Sequence, residues 1–211
     1  MTPLAIGLGI AGLAWGLVSD RLAARWPEHD DGSVRPVDWR TFVMAVLGAA
    51  VLAALPGRFE APLPLAILVA FTAALVLLLA TDLDQRLLPD VITLPLIPFA
   101  AVVSLSGANP LVPPEELGGA LLAAAAFPLG LFILSIPFGA GAIGLGDLKL
   151  MISVGLLAGL HRAFMGLLAG ALLSGVVIGL LLLTRRVSLK TYVPFGPFLI
   201  LGAMWGILLQ R

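Results

Sequence analysis

Long apolar runs broken by short polar or Pro/Gly-rich stretches account for nearly the whole chain. They lie near residues 2–18, 41–56, 62–80, 91–107, 117–138, 148–160, 163–184 and 194–210. A helix needs about 20 apolar residues to cross a bilayer core, and shorter members can be accommodated by tilt or local thinning. The pattern therefore predicts an all-α, polytopic membrane helix bundle with about eight transmembrane helices. It is expected to form one integral membrane domain over residues 1–211.

Composition strengthens this reading. Of the 211 residues 60% are apolar and only 11% charged, with a mean hydropathy of +1.11, far from a soluble domain. Twelve basic and twelve acidic residues balance to zero net charge, so no basic patch points to nucleic acid. Cysteine is absent, which excludes disulfides, thiolate catalysis and Cys-ligated zinc. A metal would have to be held by oxygen or by His29 and His161, and no soluble cofactor is implied.

Charge placement orients the chain. The first run has no basic residue before it, and its first arginine, Arg21, follows it. An uncleaved first span with its N-terminus outside is expected, rather than a cleaved signal peptide. Segments 19–40, 81–90, 139–149 and 185–193 then share one side and hold Arg21, Arg25, Arg35, Arg40, Arg86, Lys149, Arg185, Arg186 and Lys190. The other side keeps Arg58, Arg162 and Arg211. Nine against three marks the first side as cytoplasmic. The 19–40 loop is expected to form an interfacial hairpin or short helix, and the outer segments around "PGRFEAPLP" and "SGANPLVPPEEL" read as turns. No repeat of fixed period and no pair of inverted halves is evident. Gly166, Gly170, Ser174, Gly175 and Gly179 recur at helical spacing in the seventh run, a pattern that lets helices pack closely.

The acids carry the candidate chemistry. Asp20, Glu28, Asp30, Asp31, Asp38, Glu60, Glu115 and Glu116 fall in loops, where charge costs little. Asp82, Asp84 and Asp90, in "TDLDQRLLPDVITLPL", and Asp147, in "GLGDLKL", lie at membrane borders on the predicted cytoplasmic side. They could decorate water-exposed turns, with Arg86 as a counter-charge and Pro89 punctuating the next span. Gly144 and Gly146, lacking Cβ atoms, instead permit a tight turn that delivers Asp147 into a groove. Two carboxylates meeting from different helices share a proton, leaving one acid and one base. Such a pair can activate water for peptide hydrolysis without metal or cysteine.

Three stretches together resemble the type IV prepilin peptidases, membrane aspartic proteases of the GxGD kind. "DLDQRLLPDVITLPL" (82–96) is similar to the family's first aspartate motif, "GLGDLKL" (144–150) to its second and "VPFGPFLILGA" (193–203) to its signature in the last span. The 65-residue separation of Asp82 and Asp147 also suits the family. The resemblance implies that Asp82 and Asp147 are the catalytic pair, with Asp82 preferred over Asp84 from its position relative to Arg86, Pro89 and Asp90. It gives Asp90 a structural role, capping the fourth span. Lys149 would hold a nearby carboxylate ionised or anchor the helix end, or simply snorkel at the interface, and Pro194, Gly196 and Pro197 would shape the mouth of the last span.

The implied substrates are prepilins or pseudopilins, whose basic leader lies ahead of an apolar helix and is cut after a glycine at the cytoplasmic border. Many family members insert a domain with paired CxxC motifs, associated with N-methylation, between the first two spans. Here 19–40 stands in its place without cysteine, so methyltransferase activity is expected to be absent. Two readings compete. A magnesium-dependent lipid phospho- or prenyltransferase would use Asp82, Asp84 and Asp90 around a diphosphate, and a small transporter would carry protons on Asp82 and Asp147.

Overall fold

The structure, a computed structural model, describes residues 2–28, 32–139, 143–185 and 194–209. His29, Asp30 and Asp31, the cations Arg186, Lys190 and Arg211 of the orientation count, and Val193 of the third motif lie outside the described residues. Among those described, the chain is all-helical, with seven α-helices: α1 (Pro3–Ala23), α2 (Trp39–Ala54), α3 (Pro62–Gln85), α4 (Asp90–Leu105), α5 (Leu117–Ser135), α6 (Leu145–Leu183) and α7 (Gly196–Leu208). Four of them, α1, α3, α5 and α6, are long and apolar enough to cross a membrane, while α2, α4 and α7 are shorter apolar helices. Large apolar side chains such as Ile10, Phe42, Val102 and Leu172 are exposed on the outside of the bundle. That surface suits acyl chains and not water, as expected of a polytopic membrane bundle.

Local chemistry sets the helix ends. Thr2 caps α1, its Oγ1 accepting from the Ala5 amide at 3.2 Å. Asp38 opens α2 in a capping box, accepting from the Arg40 amide at 2.8 Å while Thr41 Oγ1 accepts from the Asp38 amide. Pro62 starts α3, where a missing N–H costs nothing. α3 stops at Arg86, whose backbone is left-handed (φ 56°, ψ 38°) and whose N–H donates to the Asp82 carbonyl at 2.9 Å.

α3 is the central helix. Leu68, Phe71, Leu75, Leu78 and Leu79 along it are almost fully buried, and it contacts α1, α2, α4 and α7. Trp15 of α1 donates from its indole to the Ala73 carbonyl at 2.8 Å, fixing the two helices in register. α1 and α2 touch backbone to backbone at Gly12, Gly16 and Gly48, where a Cβ would collide with the facing main chain.

The sixth and seventh predicted spans form a single broken helix. Within α6, Gly159 adopts φ 73° and ψ 178°, which is not helical. Met151 and Leu199 belong to one apolar cluster, and a Cβ on Gly170 would sit 3.6 Å from the Leu199 amide. Residues 151 and 170 on a straight helix would be about 28 Å apart, so the chain folds back at Gly159 into two arms. The first arm packs on α5, with Gly155 against the Ala123–Ala124 backbone, and the second packs on α7, with Gly166 facing Gly202 and Gly170 facing Phe198. The predicted small-residue stripe is thus only partly used: Gly175 and Gly179 have open space beside them.

Two further expectations are corrected. The described parts of the 19–40 segment beyond α1 contain no hairpin and no helix before Trp39; side-chain ion pairs organise that segment instead. Asp20 is not a loop acid: it belongs to α1 and is 1% exposed.

Candidate active site

One end of the bundle gathers the C-terminus of α3, the α3–α4 turn and the N-termini of α6 and α7 around a cleft of about 580 Å³. Asp82 and Asp147 both line it. So do Arg86, Pro89 and Asp90 from the α3–α4 turn, Gly144, Gly146 and Lys149 at the head of α6, and Pro194 and Gly196 before and at the start of α7. Pro197 is buried beside them at the second position of α7. Asp84, on the same helical end, is outside this lining.

Asp82 occupies the last full turn of α3 and is 4% exposed. Its Oδ2 is buried and has no hydrogen-bond partner, an arrangement costly enough to call for an explanation. Gly196 lies directly over it: a Cβ there would fall 2.5 Å from Oδ2, 2.9 Å from Cγ and 3.0 Å from Oδ1. The α7 backbone can approach the carboxylate this closely only because residue 196 has no side chain.

Asp147 sits in the first turn of α6, at the positive end of the helix dipole, and is 9% exposed. Gly144 is the N-cap residue, with ordinary extended backbone (φ −69°, ψ 145°), and its carbonyl accepts from the Asp147 amide at 3.1 Å. The tight approach belongs to Gly146, where a Cβ would stand 2.7 Å from Leu88 Cβ and 3.1 Å from the Leu88 carbonyl. The two glycines of the motif therefore do different work: one starts the helix, and the other lets it press against the α3–α4 turn.

Asp90 does not cap α4. The N-cap residue is Pro89, and Asp90 follows as the first helical residue. Its Oδ1 accepts from Lys149 Nζ at 2.6 Å, pinning the head of α4 to the head of α6. Lys149 thus pairs with Asp90 across the heads of the two helices.

Asp84 points elsewhere. Its Oδ1 is engaged by Arg35 Nε at 2.5 Å and Arg40 Nη1 at 2.8 Å. Arg35 also binds Asp38 at 2.6 Å and pairs with Asp20, while Arg21 Nη2 and Thr41 Oγ1 each donate to Asp20 Oδ2 at 2.6 Å. Burial opposes the charged form of Asp38, but the Arg40 amide and the Arg35 guanidinium outweigh it and hold that carboxyl below its usual range. Sequence reasoning missed this cage because its members are far apart along the chain and each reads alone as a loop charge. Asp84 is thus set apart from the cleft that Asp82 and Asp90 both line, and among the described residues no group of three or more His, Asp or Glu is placed to hold a metal ion.

Residues 68–182 match the type IV leader peptidase family. Over 154 residues the chain is 30% identical to the prepilin leader peptidase/N-methyltransferase of Pseudomonas putida, covering 71% of this chain and 53% of that protein. The protein of the same name from Aeromonas salmonicida is 36% identical over 149 residues, 66% of this chain and 49% of that one. The Bacillus subtilis counterpart is 30% identical over 161 residues, 74% and 60% respectively. The chain spans about half the length of the first two of these relatives. No solved structure matches it. With the matched region covering more than half of the chain and containing both cleft aspartates, the chain belongs to the type IV leader peptidase family.

Proposed function

We propose that this protein is a membrane-embedded aspartic endopeptidase that removes the leader from prepilins or pseudopilins, cutting after a glycine at the cytoplasmic border of the membrane. The observation that carries this reading is that Asp82 and Asp147, delivered by different helices, line one cleft, with Asp82 Oδ2 buried and unpartnered. A buried carboxylate oxygen with no protein partner is an unsatisfied acceptor that a proton, a water molecule or a substrate group would satisfy.

In this reading the pair holds one proton. The ionised carboxylate takes a proton from water as its oxygen bonds to the scissile carbonyl carbon, and the protonated partner gives its proton to the carbonyl oxygen. The resulting diol collapses with cleavage of the C–N bond: the carboxyl that accepted the water proton delivers it to the departing amine nitrogen, and the other carboxylate takes a proton back from a diol hydroxyl as the C=O re-forms, so the pair again holds one proton. No metal and no covalent intermediate are needed. Asp84 has no part in these steps, because Arg35 and Arg40 hold it in the cage. The same engagement, together with Asp90 on Lys149, counts against a diphosphate site built on Asp82, Asp84 and Asp90. N-methylation is not assigned to this chain, since the α1–α2 segment contains no cysteine.

The test is cleavage of a co-reconstituted prepilin by wild type, Asp82→Asn, Asp84→Asn and Asp147→Asn, each with and without EDTA. Loss of activity by roughly a thousandfold or more in the Asp82 and Asp147 variants, with cleavage retained in Asp84→Asn and no effect of EDTA, is expected. Cleavage that survives both substitutions, or that only chelation stops, overturns the dyad.

A further inference from the structure

The cleft has a wall outside the matched family region. Trp26 and Pro27, from the segment joining α1 to α2, line it together with the helix ends that carry the aspartates. The Trp26 side chain is exposed and takes no part in either apolar core cluster, yet its backbone is firmly held. Gln85 Nε2 donates to the Pro27 carbonyl at 2.6 Å and to the Ala23 carbonyl at 3.4 Å. Gln85 lies three positions beyond Asp82 on α3, so this wall is tied to the helical turn that presents Asp82.

Arg35 makes the second tie. Its three guanidinium nitrogens reach Asp20 on α1, Asp38 at the head of α2 and Asp84 on α3. Asp20 and Asp84 are buried, with side chains 1% exposed; each also has a second arginine, Arg21 and Arg40 respectively, so what Arg35 alone supplies is the bridge between α1 and α3. Lysine cannot replace it, because a single ammonium lacks the planar fork that meets carboxylates in three directions. An indole 38% exposed at the edge of a cleft, on a backbone held by Gln85, is placed to touch whatever enters.

We propose that Trp26 is a substrate-contacting, specificity-determining wall of this cleft, packing on the aliphatic parts of an extended peptide laid across Asp82 and Asp147, and that Arg35 is the positioning residue that holds it there. This rests on the peptidase reading above and adds a recognition element to it. The contact is made in the ground state and in the transition state alike, so its loss raises KM more than it lowers kcat.

The experiment uses the full chain in lipid vesicles and a precursor with a basic leader ending in glycine ahead of an apolar helix. Trp26→Ala should raise KM about tenfold while kcat falls less than about threefold, and Trp26→Phe should recover most of the loss. Arg35→Lys should raise KM in the same direction, and the Arg35→Lys/Trp26→Ala double variant should be no worse than Trp26→Ala alone, since both act through one contact. An unchanged KM in Trp26→Ala, or additive losses in the double variant, overturns the proposal and leaves the peptidase reading standing. A wild type that does not cleave the precursor overturns both. Should Trp26→Ala fail to fold, the cysteine-free chain provides a second measurement. Trp26→Cys in an Asp82→Asn background carries a single thiol, and saturating precursor should slow its reaction with a maleimide by about fivefold or more by occupying the cleft. Equal labelling with and without precursor overturns the wall.

Discussion

A methyl group on Gly196 would stand 2.5 Å from Asp82 Oδ2, closer than a carbon and an oxygen can remain, so alanine there must displace either α7 or the carboxylate. α7 is fixed on the second arm of α6 by the contacts of Gly202 and Gly206, which leaves the Asp82 side chain to move. Misplacement of a reacting group by about 1 Å can cost around a hundredfold in rate. Gly196→Ala should therefore cut prepilin cleavage by about tenfold to a hundredfold while helix content by circular dichroism stays at the wild-type level. Activity equal to wild type would mean that Asp82 does not act from this position. At this scale the sequence was informative where a motif binds residue type to spacing: Asp147 behind two glycines, and Asp82 ahead of Arg86, Pro89 and Asp90, all reach one cleft. It was silent where the partner is remote. Nothing near Asp20 announces that it is buried under Arg35, and nothing near Asp84 announces that two arginines from the α1–α2 segment and α2 claim it.

Among the elements, α6 shows how a break can be built into an apolar helix. Gly159 has φ 73° and ψ 178°, a region essentially confined to glycine that costs a residue with a side chain about 1–3 kcal/mol, and its missing Cβ leaves room for Val112, whose Cγ2 would be 2.7 Å away. Backbone groups near the break are satisfied by side chains. Asn109 Nδ2 donates to the Leu156 and Leu157 carbonyls at 3.3 and 3.0 Å, and Ser104 Oγ donates to Leu156 at 2.8 Å. Such pairing is required where water is scarce. Gly159→Ala should destabilise the protein by about 2 kcal/mol, lowering its thermal midpoint in detergent by roughly 5 °C, and adding Val112→Ala should return only part of the loss, because the strained backbone remains. An unshifted midpoint would show that the break tolerates a side chain. Apolar periodicity placed a boundary between residues 160 and 163, close to the real one. It could not distinguish two separate helices from two arms of a broken one, since both bury the same residues. Nor could it identify Asn109, which reads as an ordinary turn residue until its five hydrogen bonds are seen.

At the scale of the molecule, the cleft unites segments that charge counting had already assigned to one side. Trp26 from the first joining segment, Asp82 and Arg86 to Val91 around the second, Gly144 to Asp147 and Lys149 from the third, and Pro194 to Gly196 just after the last share its lining. Glu116, Gly159 and His161 line a separate cavity of about 320 Å³. The assembly of the cleft fixes which segments travel together but not which face of the membrane they occupy; that assignment rests on the excess of Arg and Lys, a bias set during insertion. The two arguments are independent, so one experiment can test them separately. Val34, exposed in the α1–α2 segment, and Glu60, exposed between α2 and α3, each replaced by cysteine in the cysteine-free chain, give single thiols at opposite ends of α2. An impermeant maleimide should label Val34→Cys only in inverted vesicles and Glu60→Cys only in right-side-out ones. The reverse pattern would keep the bundle and turn it over, placing the cleft outside the cytoplasm and defeating the proposed leader cleavage. Labelling of both from the same face would break the pairing of segments itself, because α2 would then fail to cross.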